Sequence, residues 1–336
     1  MSQHGYEAGR SAAFGTKAIG CETVRDIKRR VIFAEGEEKR VLHAAQWLLE
    51  NDKATPILIG DTRAIVKAID QERLELKLGK DVEVYPPCDQ FEYRDQSLRE
   101  VLAKHHKWDV SSRAVLHRST RNTPVAARLV EAGVADFLVC GTTGRYSWHL
   151  AQLTRVLTTR SLEELGTLHL TRYKGRNVFL LDCFDNGIKT PAKIAQTSYA
   201  AAEYLRQIGY RAKIWLCAHV DYGSPAASSN EVMRNARARL LARSASLPII
   251  GPVSLEEAMA GDKGEHTAEA YTDVIVFCGS DAAAMARAIL RRSSGDSQIG
   301  PLLLGLANKA HIVSSEVTAQ GLADLASFAA GNPKWV

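Results

Sequence analysis

The sequence predicts an α/β protein of two domains, with mainly parallel sheets flanked by helices. Short apolar, β-rich runs alternate with polar or glycine-rich turns and helical patterns, which is the signature of βαβ units. Several helix starts carry capping signals. At 336 residues the chain also exceeds the usual domain size of about 100 to 200, so two cores are expected.

Arg30–Ala34 (RVIFA) reads as the first strand. Lys39–Glu50 (KRVLHAAQWLLE) follows as a helix with Val41, Leu42, Ala45, Leu48 and Leu49 on one face, and Thr55–Gly60 (TPILIG) closes the first βαβ unit. Further strands are Phe137–Cys140, Val178–Leu181, Lys213–Cys217 and Val274–Phe277, each followed by a turn cluster and a helical stretch. Thr190-Pro191 places a capping hydroxyl before a proline at the first helical position. Ser161/Glu164, Ser228/Glu231 and Ser254/Glu257 have capping-box spacing. After the SSGDS turn, Ile299–Leu306 and Ala310–Val313 return the chain to apolar structure.

Apolar residues make up 46% of the chain and charged residues 24%, ordinary values for a folded globular protein. No run approaches the roughly 18 apolar residues of a membrane span, and the polar start has no secretory core. A cytoplasmic protein is therefore expected. The six cysteines, Cys21, Cys88, Cys140, Cys183, Cys217 and Cys278, form no C-x-x-C pair and read as reduced core thiols rather than metal ligands or disulfides. A net charge of +5 is mild and interspersed; it does not indicate nucleic-acid binding yet suits a basic groove for a phosphate-rich small molecule.

Five turns at strand ends are unusually polar or glycine-rich: Glu35–Glu37, Gly141–Arg145, Asp182–Asn186, His219–Ser224 and Gly279–Asp281. In open parallel sheets ligands gather at such ends, where helix N-termini present free N–H groups to anions. None is a dinucleotide, Walker, zinc-hydrolase or nucleophile-elbow motif, which disfavours those chemistries.

Taken together, RVIFAEGEEKRVLHAA, EAGVADFLVCGTTGRYSWHL, DCFDNGIKTPAKIAQTSYAAAEYLRQIG, LCAHVDYGSPAASSNEVMRNA and IGPLLLGLANKAHIV resemble successive segments of the phosphate acetyl/butyryltransferase family. The likeness is greatest to the phosphotransacetylase-like C-terminal domain of bacterial malic enzymes and spans roughly residues 28 to 330. It implies a phosphotransacetylase-like fold of isocitrate/isopropylmalate-dehydrogenase architecture with a cleft between domains. It further implies an N-terminal extension over 1–27, domain I over 28–148 plus 303–336, and domain II over 149–302. The implied ligands are CoA or acetyl-CoA, as substrate or effector rather than resident cofactor, and an acyl phosphate. A homodimer, a possible malic-enzyme-type partner, and neither metal nor membrane complete the expectation.

Transfer between CoA and phosphate needs a thiol base, cations or donors for the phosphate, and donors for a developing oxyanion. By resemblance Arg121 is a phosphate-side arginine, Asn186 an acyl or phosphate donor, and Ser224 the serine of the site loop. The plain alternatives are a surface arginine, an Asx turn and a turn serine. Arg145 with Gly141 reads as an anion cradle, Gly223 belongs to the site loop, and Arg234 is either a site arginine or part of a solvated helix face. His149 reads as a packed or capping residue and Glu231 as a capping partner. The chain departs from the catalytic pattern at Ala282–Ala284, at Pro225 and at Ala34 before Glu35, where side-chain or backbone donors are lost or the usual proline is replaced. These departures leave a second expectation open, a non-catalytic acetyl-CoA-binding regulatory or assembly domain.

Overall fold

The structure is a computed structural model that describes residues 28–86, 122–157, 165–183, 190–219, 228–261, 271–293 and 298–331. The first sheet, in the order β11-β4-β1-β2-β3, is wholly parallel. It comprises β1 (Arg30–Phe33), β2 (Thr55–Ile59), β3 (Glu83–Tyr85), β4 (Phe137–Cys140) and β11 (Ala310–Ile312). Its connections include helices α1 (Lys39–Glu50), α2 (Thr62–Glu72) and α3 (Asn122–Glu131).

The second sheet runs β10-β5-β6-β9-β7-β8. Its strands are β5 (Gly166–Tyr173), β6 (Arg176–Asp182), β7 (Ala212–Cys217), β8 (Ile249–Val253), β9 (Thr272–Phe277) and β10 (Gln298–Leu304). Four of them are parallel, while β5 and β10 form an antiparallel edge. Helices α4 (Tyr146–Val156), α5 (Pro191–Gln207), α6 (Ser228–Arg243), α7 (Leu255–Ala260), α8 (Ser280–Ser293) and α9 (Ala319–Ala329) complete the described elements.

Local signals account for most boundaries. Thr190 Oγ1 accepts from Lys193 N at 3.1 Å with Pro191 in the first turn, and Ser254 Oγ accepts from Glu257 N at 3.1 Å. Each satisfies an amide that the helix leaves orphaned, an effect of about 1 kcal/mol. The face of α1 differs from expectation in one place: Ala44 is buried and Leu49 sits at its margin. β5 is not foreseen by the alternation, because it pairs with β6 through the two-residue turn Lys174-Gly175. Both turn residues have positive φ, 48° and 80°, as a type I′ hairpin turn requires.

The two sheets are joined by one apolar core that includes Val31 and Phe33 of the first and Phe179 and Leu302 of the second. α9 packs on α1 and on β10, and its Phe328 meets the Phe179 ring at 6.0 Å. His311 of β11 accepts from Leu303 N of β10 at 3.1 Å, tying the sheets directly. Among the described residues no helix is long and apolar enough to cross a membrane.

Candidate functional site

Because the strands of the first sheet run parallel, the carboxyl ends of β1, β4 and β11 gather at one edge. Glu35 follows β1 and reaches Gly141 after β4. Both of its carboxylate oxygens lie 3.2 Å from Gly141 N, and Thr142 Oγ1 donates to Oε2 at 3.3 Å. Burial pushes the Glu35 carboxyl from its ordinary 4.5 up to about 7, against these hydrogen bonds, which favour the ionised form. Gly141 has φ +102°, and a Cβ there would stand 2.7 Å from Val313 O, so only glycine fits.

The same loop is held from the other side. Arg40 donates from Nη2 to Thr142 O at 3.3 Å, and from Nη1 to Ser315 O and Val317 O at 2.7 Å each. His149 is buried and lies 2.7 Å from Thr143 O and 2.9 Å from Thr123 Oγ1. Since a carbonyl only accepts, Nε2 carries the proton and Nδ1 accepts from Thr123. His149 is thus the packed histidine the sequence suggests. Cys140 lies beside this network; burial above all, and then the Glu35 charge, drive its thiol well above the usual range.

Tyr146 opens α4 and connects this edge to the second sheet. Burial foremost, then the nearby Cys140 and Asp182, raise its phenol. Asp182 ends β6 and accepts from Ser280 Oγ, the first residue of α8, at 2.9 Å. Farther along α8, Arg287, Arg291 and Arg292 line a cavity of about 610 Å³ with Ala284, Ala288, Gln298 and Glu316. Glu316 belongs to the β11–α9 loop that Arg40 ties to Thr142 of the glycine loop. Three cations against one carboxylate suit a polyanionic ligand.

Of the residues singled out in the sequence, Gly141 and Arg145 share the loop after β4. Arg145 is exposed and occupies the N-cap of α4, where its side chain makes no capping bond. Arg234 is exposed on α6, on the second sheet's side of the molecule. Arg121, Asn186, Gly223 and Ser224 lie outside the described residues. Sequence reasoning did not single out Glu35 on its own, Arg40, His169 or the arginines of α8. For the last, the spacing 287, 291, 292 on an alanine-rich helix was the available signal.

Residues 17–330 match the family described as Phosphate acetyl/butaryl transferase. Among curated proteins, a NAD-dependent malic enzyme of Rhizobium meliloti (strain 1021) is 32% identical over 95% of this chain and 42% of its own length. A phosphate acetyltransferase of Nitratidesulfovibrio vulgaris is 21% identical over 85% of this chain and 41% of its own. The chain thus spans well under half the length of these relatives. Among solved structures, a phosphotransacetylase from Streptococcus pyogenes superposes with TM-score 0.74 at 20% identity, over 90% of this chain and 93% of that one. The likeness establishes the mainly parallel α/β fold flanked by helices.

Proposed function

We propose that this chain, which belongs to the phosphate acetyl/butaryl transferase family, moves an acetyl or other short acyl group between coenzyme A and phosphate. The observation that carries this reading is the arginine groove of α8, whose three guanidiniums offer the positive charge that phosphates of coenzyme A would need. In the forward step the thiol gives up its proton, the sulfur attacks the carbonyl carbon of the acyl phosphate, and the carbon–oxygen bond breaks. Phosphate leaves with the electron pair and takes up the proton that the thiol released. On this reading Ser224, Asn186 and Arg121 supply donors and charge to the oxyanion and the phosphate, and Gly141, Gly223 and Arg145 shape the cradle.

A second reading, acetyl-CoA binding without turnover in a regulatory or assembly role, is favoured by one observation: malic enzymes match over some two-fifths of their length. Under it a malic-enzyme-type partner and a second copy of the chain are the expected associates. Acetyl-CoA formation from acetyl phosphate and CoA separates the two readings. Turnover that Ser224→Ala abolishes supports the transferase, whereas acetyl-CoA binding without turnover replaces it with the binding domain.

A further inference from the structure

Arg287 on α8 is held by an unusual partner. Its Nη1 donates to Nε2 of His169, on β5, at 3.1 Å. A guanidinium offers no lone pair, so Nε2 is the unprotonated nitrogen and the ring proton sits on Nδ1. Burial, and secondarily the Arg287 charge, drive this imidazole from its ordinary 6.5 down to about 3, so it stays a neutral acceptor at physiological pH. The slot is built for the ring: at Gly300, φ +136°, a Cβ would stand 3.0 Å from both His169 Nδ1 and Leu168 O.

Elsewhere in the molecule arginines are steadied by carboxylates, as Arg176 is by Asp273 and Arg128 by Glu131. A carboxylate orients a guanidinium and cancels its charge in the same contact. A neutral imidazole orients it and leaves the charge intact. The oriented, uncancelled guanidinium lines the groove it shares with Arg291 and Arg292.

We propose that His169 is a positioning residue for an anion-binding arginine: it fixes Arg287 in the wall of the α8 groove without neutralising it, so that the groove takes the phosphate groups of a coenzyme A ligand. The proposal rests on the ligand assigned under Proposed function. A purely structural His169 would serve only to dock α8 on β5, and it would be indifferent to the charge of whatever replaced it.

The test uses the full chain with acetyl-CoA as probe, and S-acetylpantetheine, which lacks the nucleotide phosphates, as control. Binding is followed by calorimetry at low and moderate salt for the wild type, Arg287→Met, His169→Asp and His169→Gln. Arg287→Met and His169→Asp should each weaken acetyl-CoA by about tenfold and flatten its salt dependence, as loss of one phosphate-facing charge would. Neither should alter S-acetylpantetheine binding. His169→Gln, a neutral acceptor, should stay within about threefold of the wild type. If the wild type binds acetyl-CoA and Arg287→Met binds it equally well, the positioning role is overturned while the ligand assignment stands. Equal losses in His169→Gln and His169→Asp would overturn the charge argument even if the aspartate variant folds poorly. A wild type that ignores acetyl-CoA overturns the ligand assignment and this proposal with it.

Discussion

Glu35 and Gly141, 106 residues apart, meet with both carboxylate oxygens 3.2 Å from one backbone nitrogen. The contact places a carboxyl with a pKa near 7 at the root of the glycine loop. For a carboxyl raised in the native state, the native protein holds the proton that the unfolded chain has already released between pH 4.5 and 7. Stability from this group is therefore present below about 4.5 and lost as pH rises to about 7. Glu35→Gln removes the titration, so its stability relative to wild type should improve from pH 5 to pH 8. The gain should be about 1 to 2 kcal/mol once the solvent still reaching the side chain is allowed for. Urea melts at the two pH values check this, and a constant difference would contradict it.

His311 predicts the opposite slope. Burial drives its imidazole from 6.5 down to about 4, while Nδ1 accepts from Leu303 N. The unfolded chain takes up the proton first as pH falls, so stability from this group is complete above 6.5 and is lost towards pH 4, by up to about 3 kcal/mol. His311→Asn keeps an acceptor and cannot titrate. Its melting curves should change less between pH 7 and 4.5 than those of the wild type, and an unchanged slope would count against the assignment.

Arg40 clamps three carbonyls from two loops. Arg40→Met should cost about 2 kcal/mol, because the buried share of those acceptors loses its donors. Amide exchange over residues 314–318 should accelerate well beyond the change in the rest of the molecule. Arg40→Lys should recover only part, since an ammonium cannot span three acceptors with the planar fork of a guanidinium. Equal protection in all three proteins would rule the clamp out.

Gly141→Ala introduces a Cβ at positive φ and 2.7 Å from Val313 O. Strain and clash together should lower stability by about 2 kcal/mol or more and displace the loop from Glu35. A stability within about 0.5 kcal/mol of wild type, measured in urea, would show that the close approach is not obligatory.

Much of the architecture is legible from local pattern. RVIFA, TPILI and FLVC announce themselves by apolar runs, and Thr190-Pro191 and Ser254 mark helix starts that the caps bear out. The missed strand β5 is instructive: its Lys174-Gly175 turn carries the positive-φ signal of a tight hairpin, but the βαβ rhythm elsewhere hides it. The glycine loop at Gly141–Arg145 was visible because glycines and a strand end coincide. Its restraints were not, since Glu35 looks like an ordinary charge in a polar turn and Arg40 like a surface charge at the start of α1.

The class of fold, the family resemblance and the run of strands and helices follow from local pattern in the chain, because periodicity, caps and turn residues act over a few neighbours. Tertiary structure alone decided which strand ends meet, how deeply Glu35, His169 and His311 are desolvated, and that His169 rather than a carboxylate holds Arg287 across 118 residues. Those properties arise from packing between distant segments, where burial and a partner's charge set the chemistry of a side chain whatever its neighbours in the chain.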